Sequence, residues 1–214
     1  MELIEEIISS RRVGYRRVDP NRGSWEDMGI DTALEQPSLI YRFKKTIKFI
    51  QKTVGIESLK ESKILDTGEY NPLSEWLKRS YGIAVTNTPP DMDFDNLQQD
   101  TEVLGEFDYI FAFEILEHLM NPLAFVEFLH KNLKKNGTVF LSTPFARPRF
   151  LWSRYHFTEY FPDKVEFMAN KAGFEVVRYE RRNVYPGSGA IYGIRPFFRA
   201  FWFERIMLFE FRKQ

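Results

Sequence analysis

The chain has 214 residues, with 30 basic and 30 acidic side chains and no cysteine. Its length suits a single domain with a sizeable core, and the lack of cysteine excludes disulfides, thiolate nucleophiles and zinc–cysteine sites. A net charge of zero disfavours nucleic-acid partners, and the acidic start and short apolar runs predict a cytoplasmic protein without a secretory signal or transmembrane segment.

Strand and helix patterns alternate through the middle of the chain. Short apolar runs predict strands at residues 63–67, 83–87, 108–113, 138–142 and 174–179. Apolar stripes, with Asn-Pro pairs at two starts and glycines at the ends, predict helices at residues 72–80, 122–135 and 162–172. This alternation favours a twisted, mostly parallel sheet with helices on both faces.

Two end segments depart from this alternation. Residues 1–62 contain no convincing strand, and helical patterns at residues 1–10 and 39–54 predict an N-terminal helical cap. Residues 183–214 hold a run crowded with aromatic side chains and then a pattern from about residue 205 that we expect to form an edge strand. We interpret the aromatic run as a substrate lid, a packed insertion or a homodimer face. A membrane-surface anchor is disfavoured because it usually carries many basic residues.

The most informative motif follows the strand predicted at residues 108–113. Glu114, Glu117 and His118 are spaced i, i+3 and i+4, so a helical turn would place them on one face. Two carboxylates and an imidazole at the C-terminal end of a strand predict a metal or acid–base site, because open α/β sheets bind ligands there. The alternative is a solvated helix N-terminus whose acidic residues complement the helix dipole.

Four blocks of sequence carry a family resemblance. In chain order they read Ile-Leu-Asp-Thr-Gly, Phe-Glu-Ile-Leu-Glu-His-Leu, Leu-Lys-Lys-Asn-Gly-Thr-Val-Phe-Leu-Ser-Thr-Pro and Ala-Gly-Phe-Glu-Val-Val. Over residues 63–182 this order resembles the class I S-adenosylmethionine-dependent methyltransferases. The resemblance implies an α/β, Rossmann-like, doubly wound and mostly parallel seven-stranded sheet with an antiparallel last strand. It also implies S-adenosylmethionine as the cofactor.

The Glu-x-x-Glu-His element resembles that of the ubiquinone-pathway O-methyltransferases and of the small-RNA 3′-terminal 2′-O-methyltransferases. The latter bind a divalent metal, which implies Glu114, Glu117, His118 and the later His156 as ligands of Mg²⁺, Mn²⁺, Fe²⁺ or Zn²⁺. Without a metal, His118 or His156 could remove the acceptor proton, so Glu117 and these two histidines are the candidate catalytic residues. The alternative is that His118 binds a buried group and His156 lies in an aromatic loop.

The first loop departs from the family pattern of acidic-x-Gly-x-Gly-x-Gly. This chain reads Asp66-Thr67-Gly68-Glu69-Tyr70-Asn71-Pro72, so only the first glycine remains. Tyr70 and Pro72 stand where small residues would let the backbone approach the cofactor. Either the loop follows another path around the methionine part of the cofactor, or the pocket is partly blocked.

The second strand also lacks the acidic residue that binds the ribose hydroxyls in the family. Asn87 could hydrogen-bond the ribose as a weaker partner, and Asp91 or Asp93 could replace the acid or face the adenine. The alternative for both aspartates is a solvated turn. The expected cofactor-binding residues are Asp66, Gly68, Glu69, Asn87, Asp93 and Phe113.

Three functions compete. The favoured one is O-methylation of a hydroxyl on a small-molecule or glycan-type acceptor, supported by the Glu-x-x-Glu-His element and His156. Methylation of RNA ends would use the basic, aromatic stretch at residues 147–155 to bind phosphate and stack on sugar, although a plain surface loop explains that stretch equally well. A non-enzymatic binding or assembly module would explain the lost glycines.

Overall fold

A computed structural model describes residues 29–90, 92–97, 104–153, 155–183 and 205–214. The helix predicted at residues 1–10 and the aromatic run at residues 184–204 lie outside the described residues, as does Asp91. The described ranges contain the six-stranded sheet that positions the candidate site.

Six strands of the described chain form one mixed sheet, in the order β2-β1-β3-β4-β6-β5. They are β1 (Ile64–Asp66), β2 (Thr86–Asn87), β3 (Phe107–Phe113), β4 (Leu133–Pro144), β5 (Phe174–Asn183) and β6 (Arg205–Lys213). The first four pair in parallel, and β6 is antiparallel to both β4 and β5. The predicted α/β class and antiparallel last strand are confirmed, while no seventh strand occurs in the described ranges.

The predicted edge position of the last strand is wrong. Strand β6 lies between β4 and β5 and is hydrogen-bonded on both sides. Its central residues 207–211 are buried, because neighbouring strands cover both edges and helices cover the faces. The edges of the sheet are instead β2 and β5.

Six α-helices are described, and none is long and apolar enough to cross a membrane. They are α1 (Ile30–Leu34), α2 (Pro37–Ile50), α3 (Ile56–Lys60), α4 (Pro72–Tyr81), α5 (Pro122–Asn132) and α6 (Pro162–Lys171). Helix α4 shows how local sequence sets the ends. The Asn71 side chain accepts hydrogen bonds from two N–H groups of its first turn, and Gly82 ends it in the left-handed region with φ of 69°.

Helix α5 ends earlier than its apolar stripe predicted. Leu133 leaves the helix and pairs with Phe107 as the first residue of β4. The chain then bulges through Asn136, with φ of 63°, before regular pairing resumes at Thr138. Gly137 is required in this bulge, because an added Cβ would lie 2.7 Å from the Leu133 side chain.

Helices cover both faces of the sheet, as predicted. Helices α2 and α4 pack on the face that carries Phe111 and Phe140, which we call the α2 face. Helices α5 and α6 pack on the opposite face, which carries Ile110 and Leu141 and which we call the α5 face. The alternation of these strand residues between the two clusters shows that the central strands are buried on both sides.

Arg178 on β5 holds the C-terminal end of α2 against the sheet. Its guanidinium donates to the Glu210 carboxylate at 2.6 Å and to the Phe49 carbonyl at 2.8 Å, and it lies 4.0 Å from the centroid of the Phe49 ring. Glu210 is fully buried and also accepts from the Thr53 hydroxyl at 2.6 Å. A buried carboxylate needs such partners to remain ionised at acceptable cost.

Replacing Arg178 with Met should lower the free energy of unfolding by about 3 kcal/mol, because Glu210 would lose its main buried cation. Urea denaturation measures the change. Arg212→Met is the matched control, since that side chain is 44% exposed and its guanidinium is 3.8 Å from the same carboxylate, and its loss should cost less than about 1 kcal/mol. Equal losses in the two variants would contradict the assigned role of Arg178.

Candidate active site

A cavity of about 200 Å³ opens where strands β1 to β4 end. Open α/β sheets bind their ligands at this edge. Its polar lining includes Arg42, Thr46, Asp66, Thr67, Glu69, Thr88, Glu114 and Ser142. Its apolar lining includes Leu39, Phe43, Met92, Phe94 and Phe113. Helix α2 and the loops after β1, β2 and β3 thus each contribute one wall.

The loop after β1 leaves this cavity open. Tyr70 is 47% exposed and does not line the cavity, and its hydroxyl donates a hydrogen bond to the Glu75 carboxylate. Pro72 does line it, as the first residue of α4. The position of Tyr70 thus favours the first of the two alternatives that the sequence left open, in which the loop follows another path.

Asp66 and Asn71 hold the loop in this path. The buried Asp66 carboxylate accepts from the Asn71 amide at 2.9 Å and from the Ser74 hydroxyl at 3.1 Å. The same amide donates to the Glu69 carbonyl at 3.0 Å. Asn71 therefore both caps α4 and fixes the loop.

Asn87, at the end of β2, braces the same loop from the other side. Its amide nitrogen lies 3.0 Å from the Gly68 carbonyl, 3.3 Å from the Glu69 carbonyl and 3.0 Å from the Ser74 hydroxyl. Asn87 does not line the cavity. Its amide is thus directed at the protein and not at a ligand.

The other predicted cofactor residues divide between the cavity wall and the surface. Asp66, Gly68, Glu69 and Phe113 line the cavity. Asp93 is exposed, and its carboxylate accepts from the Asp95 N–H at 3.0 Å and the Asn96 amide at 2.6 Å. That arrangement is the solvated turn considered as the alternative.

Glu114 lies on the cavity wall, apart from the other three predicted metal ligands. Its backbone is left-handed with φ of 56°, and a 3₁₀ turn at Leu116–His118 follows where an α-helical turn was predicted. The carboxylate accepts from Ser142 at 2.9 Å and from Arg42 at 3.2 Å. The predicted common face is therefore wrong, because i, i+3 spacing aligns side chains only along a regular helix.

The end of β4 keeps Glu114 and Glu117 on opposite faces of the sheet. Neighbouring strand residues point to opposite faces. Ser142 points to the α2 face and binds Glu114, whereas Thr143 points to the α5 face and donates to Glu117 at 3.1 Å. Both carboxylates follow strand β3, but they lie in separate environments on opposite faces of the sheet.

Glu117, His118 and His156 do come together on the α5 face. One candidate ligand atom from each lies within 4.8 Å of the others, and no second group of three or more such residues occurs in the described ranges. Glu117 is 1% exposed, and the two imidazole rings meet edge to face with centroids 5.0 Å apart. The structure thus unites three of the four residues that the sequence proposed as metal ligands.

Both histidines have their Nδ1 atom directed at an oxygen. His118 Nδ1 is 3.0 Å from the Tyr155 carbonyl, and His156 Nδ1 is 3.0 Å from the Glu159 carboxylate. Because these oxygens accept hydrogen bonds, each neutral imidazole carries its proton on Nδ1 and its lone pair on Nε2. An oxygen behind the second ring nitrogen is also the usual arrangement of histidines that bind metals.

Glu159 is a candidate functional residue that sequence reasoning missed. It is buried and accepts from Arg147 through the backbone N–H, Nε and Nη2, at 3.1, 3.1 and 2.6 Å. Burial would raise the pKa of Glu159, but the hydrogen bonds from His156 and Arg147 outweigh it and hold that pKa below its ordinary value. Its position three residues after His156 was the available signal. Arg147 belongs to the stretch considered for RNA binding, and its guanidinium binds this carboxylate.

Glu159→Gln should destabilise the protein at pH 7, by about 2 kcal/mol for the lost charged hydrogen bonds. A carboxyl group with a lowered folded pKa stabilises above its unfolded pKa, about 4.3, and this contribution disappears as the pH falls through the folded pKa. The difference from the parent protein in urea denaturation should therefore shrink below about pH 4. Glu166→Gln, at an exposed position on α6, is the control. A difference that stays constant with pH would exclude this role.

Comparison with known proteins identifies the family. Residues 27–188, more than half of the chain, match the family model described as "Methyltransferase domain". No curated protein sequence matches the chain significantly.

Solved structures of low sequence identity share the fold. A protein provisionally identified as a sarcosine dimethylglycine methyltransferase from Galdieria sulphuraria has a TM-score of 0.58 at 13% identity, over 82% of this chain and 86% of that one. The 1,6-didemethyltoxoflavin-N1-methyltransferase of Burkholderia thailandensis, solved with S-adenosylhomocysteine, has a TM-score of 0.53 at 14% identity, over 99% and 87%. Phosphoethanolamine N-methyltransferase 2 of Haemonchus contortus, solved with S-adenosyl-L-methionine, has a TM-score of 0.55 at 12% identity, over 79% of this chain and 52% of that one. This chain therefore spans about half of the Haemonchus enzyme.

The lining of the cavity combines apolar and polar side chains, as small-molecule sites do. Met92 and Phe94 are among the apolar groups, and Arg42 and Ser142 are among the polar ones. The acidic Glu69 lies in the wall after β1. The chain belongs to the methyltransferase-domain family and is an S-adenosylmethionine-dependent methyltransferase.

Proposed function

We propose that this enzyme methylates a hydroxyl group of a small-molecule or glycan-type acceptor. The observation that carries the proposal is the cluster of Glu117, His118 and His156. A hydroxyl has to lose its proton as the methyl group arrives, and a positioned imidazole or a metal assists that loss. The Burkholderia and Haemonchus enzymes are named as N-methyltransferases, so the acceptor atom is the point that experiment has to decide.

Bound S-adenosylmethionine supplies an electrophilic methyl group on a sulfonium. In this proposal Gly68, Glu69 and Phe113 contact the cofactor, and Asp66 keeps their loop in place through its bonds to Asn71 and Ser74. Helix α2 forms the facing wall of the cavity, where it can exclude water from the cofactor.

His118 is the proposed general base. The Tyr155 carbonyl fixes its Nδ1 proton, so Nε2 receives the proton of the acceptor hydroxyl. The Glu117 carboxylate, 3.7 Å from Nε2, stabilises the imidazolium that forms. Glu159 holds His156 in the matching tautomer.

The same cluster also suits a divalent metal. Glu117 would provide a carboxylate oxygen, and His118 and His156 would each provide Nε2, a mixed set appropriate to Mn²⁺, Fe²⁺ or Zn²⁺ and, less so, to Mg²⁺. A metal there would act as a Lewis acid that lowers the pKa of an acceptor hydroxyl. Glu114 is not part of this set, because Arg42 and Ser142 hold it on the other face.

Tyr70→Gly, which restores a family glycine, should leave the dissociation constant of S-adenosylhomocysteine within about twofold of the parent value, less than about 0.5 kcal/mol. The reason is that Tyr70 points away from the cavity. Isothermal titration calorimetry measures the constant. Asn71→Ala should weaken binding, since it removes the loop brace and a helix cap worth about 1 kcal/mol. Much tighter binding by Tyr70→Gly would mean that the tyrosine does obstruct the site.

His118→Ala should lower methyl transfer by about 10²- to 10⁴-fold, because it removes the proposed base. The dissociation constant of S-adenosylhomocysteine should change little, since His118 does not line the cavity. Transfer is followed with ¹³C-methyl-labelled cofactor against a panel of hydroxyl and amine acceptors, with the product distinguished as O-methyl or N-methyl by NMR.

His130→Ala is the matched control for this experiment. His130, on α5, packs on Phe174 and lies outside the cluster, so its loss should leave the rate per folded molecule unchanged. Measuring the metal content of the parent protein and of His118→Ala distinguishes a general-base role of His118 from a role as a metal ligand. Products methylated only on nitrogen, or equal loss of transfer and of cofactor binding, would overturn the proposal.

A further inference from the structure

The end of β2 offers no carboxylate to a ligand. The family places an acidic residue there for the ribose hydroxyls, but this chain has Asn87. Its amide is directed at the Gly68 and Glu69 carbonyls and the Ser74 hydroxyl, at 3.0 to 3.3 Å. The two ribose hydroxyls of the cofactor, which are donors best matched by a carboxylate, therefore need another partner.

Three acidic residues line the cavity, and two of them have structural partners. Asp66 accepts from Asn71 and Ser74, and Glu114 accepts from Arg42 and Ser142. The Glu69 carboxylate makes no hydrogen bond or ion pair with any residue in the described ranges. It is the acidic side chain of the wall that is left to meet a ligand.

Glu69 also lies in the right place. Its carbonyl is 3.3 Å from the Asn87 amide, so the residue adjoins the end of β2. Asp93, the other candidate from the sequence, is exposed, is bonded within its own turn and does not line the cavity.

We propose that Glu69 provides the carboxylate that binds the ribose hydroxyls of S-adenosylmethionine, in place of an acid at the end of the second strand. The proposal rests on the cofactor and not on the acceptor. In this chain the ribose contact has moved from the second strand to the first loop, and Asn87 acts as a positioning residue that presents Glu69.

The test measures binding of two ligands by calorimetry, S-adenosylhomocysteine and its 2′,3′-dideoxy analogue. Glu69→Gln should weaken binding of S-adenosylhomocysteine by about 10- to 100-fold, as expected for hydrogen bonds to a charged group. It should leave the affinity for the dideoxy analogue unchanged, because that ligand has no hydroxyls to lose. Asp93→Asn is the matched control and should change neither affinity. Thermal unfolding of each variant confirms that it is folded.

Three results with the variants would overturn the proposal. One is an unchanged affinity of Glu69→Gln for S-adenosylhomocysteine, and another is an equal loss for both ligands, which would place Glu69 elsewhere in the pocket. The third is a selective loss in Asp93→Asn. If the parent protein failed to bind S-adenosylhomocysteine, both the assignment of the cofactor and the proposed Glu69 contact would be wrong. If it bound the ligand but transferred no methyl group to any hydroxyl, only the proposed function would be wrong.

Discussion

The alternation of side chains at the end of β4 organises the polar groups of this enzyme. Because Ser142 and Thr143 point to opposite faces, each fixes one of the two glutamates that follow β3. Glu114 joins Arg42 on the wall of the cavity, and Glu117 joins the two histidines on the other face. A carboxylate on the cavity wall and a separate imidazole cluster thus arise from one short segment of sequence.

The first loop keeps a cavity open without the later glycines of the family pattern. Glycines let a loop approach a ligand because they lack side chains, but they also give the loop many conformations. Here Asn71 and Asn87 replace that solution with hydrogen bonds to Asp66 and to two loop carbonyls. The loop is held open by its own side chains, and Tyr70 is turned to the surface.

Sequence patterns predicted the elements well but not their long-range relations. Apolar runs located the strands, and Asn71 and Gly82 located the ends of α4, because these signals are local. The same patterns missed the strand start at Leu133, since its apolar side chain also continues the helical stripe. The left-handed Glu114 and its contacts with Arg42 and Ser142 join distant segments, which residue spacing does not encode. The contact of His156 with Glu159 spans only three residues and was a local signal that the predicted patterns did not include.

The place of β6 has a consequence for the order of folding during synthesis. Strands β4 and β5 are made before β6, yet each needs β6 to cover one of its edges. Until the ribosome has released residues 205–213, both strands expose unpaired N–H and C=O groups. The nascent chain therefore passes through a stage with two open strand edges that the finished sheet covers, and these edges can pair with other chains or be bound by chaperones.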